Sequence, residues 1–403
     1  MTHASGRRVR VGFLYTHPIQ YAAPLMRLIN RSADIEAVPI YLTDFSLRGA
    51  VDKQFGVKVV WDIDLLEGTD PIFVDGYKTR EVSTGLTAMP APQVWKIVRE
   101  ARLDALVVQG HVQLAVHIAV LAAKSIGIPV FYRSETHLLL PRGKAKRIAR
   151  RLLMGGYYKL LDGFLAIGTR NHLFYRAMGV PDSKVFDVPY AVDNERMIAN
   201  SSLSSSQRSA KRRELGARDG IPLLVYASKL TRRKHPDDLL KAARSLRREG
   251  LDFDLLFVGT GEMEGELRNA AAANFPGPPP LFTGFLNQTE LPAVLGASDI
   301  FILPAENEPW GLIINEAMCA GLAIVTSREV GAVPDLVHEG VNGRLFDAGN
   351  IAQLTTVLRD LVQHPGRTSE MGAESRRIVA GWGYGEDLEG LRAALVATKR
   401  LSR

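Results

Sequence analysis

A single cysteine, Cys319, occurs in 403 residues, which excludes an intramolecular disulfide framework and leaves no thiolate cluster for zinc. A reducing compartment is expected. Long hydrophobic runs are missing as well. No stretch of about twenty apolar residues, the length that spans a bilayer, occurs in the chain. The one apolar run near the start, Val11–Tyr15, is too short for a signal-peptide core. The expectation is a protein that neither crosses a membrane nor is exported, with a cytoplasmic location. Aromatic residues make up only 7 % and do not cluster amid basic ones, so nucleic acid is not an expected partner. Acidic residues are fewer than basic ones, 43 against 50, for a net charge of +7. Such an excess favours anions in general and serves solubility equally well.

What is present is enough apolar residue, 46 %, to bury substantial cores. The length suits two domains rather than one. Short apolar runs alternate with amphipathic stretches from end to end, the βαβ rhythm of an α/β chain with parallel sheets. Strands are predicted at Val9–Tyr15, Ala37–Tyr41, Ala105–Val108, Pro129–Tyr132, Gly163–Ile167 and Val185–Val188. The rhythm restarts at Leu223–Ser228, Phe253–Val258, Leu281–Phe282, Ile300–Leu303, Ala323–Thr326 and Gly343–Phe346. Between the halves, Asn200–Ser209 is serine-rich and without hydrophobic period, and reads as an exposed linker. The domains expected are 1–195 and 196–384, with a last helix over about 385–403 returning to pack on the first.

Ligands of open parallel sheets lie beyond the C-terminal ends of the strands, so residues just after each strand are where chemistry is sought. The most informative segment runs from Phe301 to Gly321. A predicted strand ends at Leu303, a polar loop carries Glu308, and Gly311 precedes a helix expected over Leu312–Ala320. The amides of Gly311 and Leu312 at that N-terminus suit a diphosphate. Glu316, one turn inside, leans toward the same end. Carboxylates accept two hydrogen bonds from vicinal hydroxyls, so one can hold a ribose and the other, Glu308, a hexose. Two carboxylates beside a diphosphate need cations, and Lys229 and Lys234 follow another strand. Gly259 and Gly261 allow a tight turn after a third strand, and Leu286 follows a fourth, where it can line a base.

Together these segments resemble glycosyltransferase family 4, whose signature of two glutamates separated by seven residues reads here Glu308-Pro-Trp-Gly-Leu-Ile-Ile-Asn-Glu316. Val188-Pro-Tyr-Ala-Val-Asp193 and Gly331-Ala-Val-Pro-Asp335 are similar to two further blocks of that family. The resemblance implies the GT-B fold: two Rossmann-like domains with parallel sheets facing across an interdomain cleft. It also implies a retaining enzyme that moves a hexose-type sugar from a nucleotide-diphosphate donor, UDP favoured and GDP the alternative. The acceptor would be a glycan, a lipid-linked sugar or a small molecule. Glu308 would then contact the sugar, Glu316 the ribose and Lys234 the phosphates, with Lys229 standing where many members carry arginine.

The first half departs from the family. The loop Tyr15-Thr-His-Pro-Ile-Gln-Tyr21 has no glycine, and its His17 and Gln20, with His111, are the candidates for acceptor contacts. Where members have a histidine facing the reacting sugar, this chain has Glu135, with His137 two residues on. The expected route is front-face displacement, the leaving diphosphate taking the acceptor's proton while Lys229, Lys234 and the helix N-terminus hold its charge. No cofactor and no metal are expected; Asp62-Ile-Asp64 and Asp252-Phe-Asp254 read as ordinary surface carboxylates. The basic stretch 142–153, with apolar residues at helical spacing, suits peripheral contact with the inner membrane face. Two rivals stand beside this reading: a sugar-nucleotide epimerase or phosphorylase of the same fold, and a non-enzymatic anion- or nucleic-acid-binding protein.

Overall fold

A computed structural model describes residues 7–49, 51–52, 57–79, 85–86, 91–139 and 154–402. The basic stretch 142–153 lies outside the described residues. The chain divides into two compact units, the first of Met1–Ala50, Ile63–Tyr190 and Tyr384–Arg403, the second of Val51–Asp62 and Ala191–Gly383. Among the described residues no helix is long and apolar enough to cross a membrane.

The strands before residue 190 are β1 (Val9–Tyr15), β2 (Ile35–Tyr41), β3 (Val51–Asp52), β4 (Val57–Lys58), β5 (Ile72–Phe73), β6 (Ala105–Gln109), β7 (Val130–Arg133), β8 (Gly163–Ala166) and β9 (Val185–Asp187). Those after it are β10 (Leu223–Ala227), β11 (Asp254–Val258), β12 (Leu281–Gly284), β13 (Ile300–Leu303), β14 (Ala323–Ser327) and β15 (Gly343–Phe346).

The first unit holds a seven-stranded sheet of order β5-β2-β1-β6-β7-β8-β9, parallel at every pairing. Side chains alternate across it. Leu14, Ile40, Leu106, Val108, Val130 and Tyr132 pack with Val94, Val98, Ala115 and Ala119 of two crossover helices. Val11, Phe13, Val107, Phe131 and Leu165 instead meet Leu25, Met26 and Ile29, together with Leu388, Leu391 and Leu395. Those last three lie on the Tyr384–Ala397 helix. Burying each leucine contributes about 2 kcal/mol, which holds the end of the chain on the unit where the chain began.

The second unit holds a six-stranded sheet of order β12-β11-β10-β13-β14-β15, again all parallel. Tyr226, Phe257, Ile302 and Val325 pack with Leu239, Leu246, Leu354 and Leu358 from the Pro236–Arg248 and Ile351–Gln363 helices. The antiparallel β3–β4 pair goes with this unit. Asn287 Nδ2 donates to Val60 O at 2.6 Å, and Thr289 N donates to Asp62 Oδ2 at 3.0 Å.

Two local expectations are corrected. The stretch Asn200–Ser209 is not a loop: it holds the end of the Asn194–Ser201 helix and the start of the Ser205–Leu215 helix. Ser204 and Gln207 form a reciprocal capping box, satisfying two amides at a helix start, and the buried Arg212 anchors that helix through Asp299 at 2.6 Å. Serines that look like linker are here a cap. Asp254, read as a surface carboxylate, is buried at 5 % exposure because Arg218 bonds it through both side chain and backbone nitrogen. The Pro365–Val379 helix escaped the sequence reading, since its polar, glycine-containing sequence shows no clean apolar stripe.

Candidate active site

In the second unit the loop after β13 meets the loop after β10. Lys234 ends a short 3₁₀ turn, Arg232–Lys234, and is buried at 8 % exposure. Its Nζ donates to Glu308 Oε2, and Arg233 Nη1 donates to the same oxygen at 2.9 Å. Glu308 is likewise buried, at 9 %. Burial pushes the Lys234 ammonium below its ordinary pKa, and the Glu308 charge opposes that shift. The pair thus places a buried cation against a buried carboxylate just beyond the C-terminal ends of two strands of a parallel sheet.

The loop that bears Glu308 is clamped from several sides. Gly331 N donates to Glu308 O and Ala332 N to Trp310 O, both at 3.0 Å. Glu306 N donates to Arg233 O at 3.0 Å. Trp310 is buried, donates from Nε1 to Asn315 Oδ1 at 3.1 Å, and stacks on Trp382 with centroids 5.7 Å apart. Gly311 has φ +91°, and a Cβ there would meet Val330 at 3.0 Å and Leu303 at 3.3 Å. The helix begins one residue later than expected, Ile313–Cys319 with Leu312 as its N-cap.

Lys229 lies half-buried after β10, its carbonyl accepting from Tyr226 Oη at 2.9 Å. Against this segment packs the turn after β11. Gly259 and Gly261 have φ +119° and +155°, and added Cβ atoms would meet Ser228 O at 2.2 Å and Leu230 O at 2.5 Å. Only glycine lets the two loops approach so closely. Leu286 follows β12, whose Gly284 carbonyl accepts from Gly259 N at 2.7 Å.

Glu316 belongs to a neighbouring group. Desolvation pushes its carboxyl up to about 7, against the pull of the Arg196 charge and a hydrogen bond from Gln288. Arg196 is itself held by Gln288 Oε1 at 2.7 Å and by its own amide on Asp193 at 3.0 Å. Cys319 lies on the same helix, and burial pushes its thiol up to about 12, far from a reactive thiolate. The sequence reading missed Arg196 and Gln288, which lie outside the glutamate signature in the chain.

Among the described residues His235, Asp237 and Asp238 place ligand atoms close enough for a metal ion. They are already paired, His235 with Asp238 at 3.0 Å and Lys241 with Asp237 at 2.7 Å, at the start of the Pro236–Arg248 helix.

In the first unit, Arg133 and Asp387 form a buried ion pair at 2.9 Å. Burial raises the Asp387 carboxyl and the Arg133 charge pulls it back. The Arg133 guanidinium lies 5.6 Å from the Tyr190 ring centre, and Tyr190 Oη donates to Glu135 Oε1 at 2.6 Å. Glu135 is exposed, whereas His137 is buried at 3 %. His17 pairs with Thr16 at 2.8 Å and sits edge-on to Phe45. His111 Nδ1 lies 2.6 Å from Tyr132 Oη, and Gln20 is half-buried. Thus Lys234, Glu308 and Gly311 come together, while His17, His111 and Glu135 each bond to different neighbours.

Comparison with known proteins bears on both units. Residues 207–378 match the family described as Glycosyl transferases group 1. The chain is 31 % identical over 159 residues to a sulfoquinovosyl transferase, SQD2, of Arabidopsis thaliana, spanning 39 % of this chain and 29 % of that protein. It is 30 % identical over 220 residues to a GDP-mannose-dependent phosphatidylinositol monomannoside mannosyltransferase of Mycolicibacterium smegmatis, spanning 53 % and 56 %. The chain therefore spans less than two thirds of the length of either relative. A crystal structure of Anabaena HepE with UDP superposes over 97 % of this chain and all of its own, with a TM-score of 0.71 at 16 % identity; HepE with UDP-glucose gives 0.68. With two parallel α/β sheets and that likeness over nearly its full length, the chain has the GT-B fold of two Rossmann-like units.

Proposed function

We infer that the protein is a glycosyltransferase that takes a hexose-type sugar from a nucleoside diphosphate, with retention at the anomeric carbon. The observation that carries this reading is the buried Lys234–Glu308 pair at the strand ends of the second unit. A diphosphate would take Lys234 from Glu308 and free the carboxylate to accept sugar hydroxyls. Lys229 and the amides around Gly311 and Leu312 would share the phosphate charge. Glu316 would hold the ribose and Leu286 the base side. UDP is the favoured base carrier, supported by the likeness to HepE, which has been seen with UDP and UDP-glucose. The mannosyltransferase relative uses GDP-mannose and keeps GDP as the alternative. The acceptor is a glycan, a lipid-linked sugar or a small molecule, met by the first unit's His17, Gln20, His111 and Glu135. Glu135, exposed and fixed by Tyr190, suits a positioning role better than the buried His137. Front-face displacement needs no metal, and the reading includes none.

The test is thermal stabilisation by UDP, GDP, ADP, dTDP and CMP in the wild type and in Lys234→Ala. A ligand at 100 times its Kd adds about 2.7 kcal/mol to the folded state. One nucleoside diphosphate should stabilise the wild type and lose most of that effect in the variant. An equal response in both proteins would refute the role of Lys234.

A further inference from the structure

The second unit carries a cavity of about 670 Å3 on the edge of its sheet opposite Lys229, Gly259 and Glu308. Pro222, Asp299 and Ile300 in its wall lie at the starts of β10 and β13, whereas the candidate donor residues follow the ends of the strands. Four- to five-residue strands set the two faces about 13–17 Å apart. Small-molecule sites run from about 300 to 1,000 Å3, so the cavity is of ligand size.

Its lining is cationic, with three arginines, Arg208, Arg212 and Arg376, against one acidic residue, Asp299. Asp299 is spent within the fold: its oxygens accept from Arg208 Nη2 and Arg212 Nη2 at 2.6 Å each and from Leu223 N at 2.7 Å. Arg212 is spent too, being buried and bonded to Ala297 O at 2.9 Å and Ile221 O at 2.7 Å. The other two guanidiniums keep unused donors. Arg208 is 36 % exposed at its side chain and makes its hydrogen bonds to Asp299, Ser298 O and Ala297 O through Nη2 alone. Arg376 reaches Ala320 O at 3.3 Å and Ser202 Oγ at 3.4 Å, both long and both through Nη2, which leaves Nη1 without a hydrogen bond among the described residues. The Pro365–Val379 helix lines the cavity with the small, exposed Ser369 and Ala373, while its buried Gly372 packs against the Gly321 backbone.

Planar guanidiniums with spare donors around a ligand-sized space suit the tetrahedral oxygens of a phosphate. We propose that this cavity binds a small phosphate monoester, of the size of a hexose phosphate, between Arg208 and Arg376. The site is separate from the donor face but shares two helices with it. Ala320 and Gly321 in its wall close the helix that bears Glu316, and Leu203 follows the helix that bears Arg196.

Calorimetric titration of the full chain with glucose 6-phosphate, inorganic phosphate and glucose tests this. The proteins compared are wild type, Arg208→Gln, Ser369→Glu and Lys234→Ala. Ser369 is exposed, so its substitution adds a repelling charge to the cavity without disturbing the core. Saturable binding of glucose 6-phosphate is expected in the wild type and in Lys234→Ala, at least tenfold weaker in the two cavity variants, with none of glucose. Absence of saturable binding by the wild type would overturn the proposal. So would binding abolished by Lys234→Ala and untouched by Ser369→Glu, which would place the anion on the donor face. Inorganic phosphate binding as tightly as the ester would overturn the assignment to a monoester.

Discussion

Replacing Glu308 by glutamine keeps its shape and removes its charge, which exposes what the carboxylate does for Lys234. In the folded protein one oxygen, Oε2, serves both Lys234 and Arg233. Lys234 and Glu308 are 8 % and 9 % exposed, while the Arg233 side chain is 45 % exposed and can turn to water. Breaking a buried ion pair by removing one partner costs about 3–5 kcal/mol, because the remaining charge is left without compensation. Glutamine still offers an acceptor oxygen, so the expected loss lies at the lower end, about 3 kcal/mol. Removing both charges, as in Glu308→Gln with Lys234→Met, leaves nothing stranded and should return at least about 1 kcal/mol of that loss. The assay is urea unfolding followed by tryptophan fluorescence. Trp61, Trp310 and Trp382 belong to the second unit and Trp95 to the first, so the signal reports mainly on the unit that was changed. Turnover should be almost abolished in Glu308→Gln, since the sugar would lose its carboxylate. A double variant no more stable than Glu308→Gln would show that the ammonium is not held by this carboxylate. Near-normal transfer by Glu308→Gln would remove Glu308 from the sugar site.

Three further outcomes are expected. The Glu316 carboxyl is raised in the folded chain to about 7 from 4.5, so the folded state binds more protons than the unfolded state between those values. Its contribution to stability is full below about pH 4.5 and is lost as pH rises through about 7. A stability profile of Glu316→Gln that matches the wild type from pH 4.5 to 7 would contradict the raised value, and if the carboxylate holds ribose, the difference in nucleotide affinity between the two proteins should shrink below pH 7. Asp387→Asn leaves Arg133 buried without its counterion and should cost about 3–5 kcal/mol, read as an earlier urea transition of the first unit by hydrogen exchange; an unchanged transition would mean that the carbonyls of Val188 and Pro189, which also accept from Arg133, suffice. Ser204→Ala removes the capping box of the Ser205–Leu215 helix and should cost about 1 kcal/mol, checked by the urea midpoint of the second unit, with no change in nucleotide binding.

The α/β class with parallel sheets was legible from period alone, whereas the GT-B arrangement came from the resemblance of the motifs. Runs such as Val9–Tyr15 and Leu223–Ala227 are apolar at nearly every position, because strands of a parallel sheet covered on both faces cannot afford an outward polar side. The glutamate pair and the glycine turns were legible because one loop and one helix start carry them. Where signals fail, the reason is local too. Ser204 caps a helix with the same hydroxyl that makes a serine-rich stretch look like a linker, and the Pro365–Val379 helix is held by its neighbours rather than by a stripe of its own.

By itself the sequence determined the α/β class, the positions of most strands along the chain and which loops bear acidic, basic and glycine residues, since each of these depends on neighbours within a few positions. Only the tertiary structure decided that Lys234 and Arg233 share one oxygen of Glu308, that Tyr190 fixes Glu135, and that Arg208 and Arg376 meet around one cavity. Those partners lie 55 to 168 positions apart in the chain, and burial, which sets the electrostatics of Lys234 and Glu316, belongs to the packed molecule rather than to any segment of it.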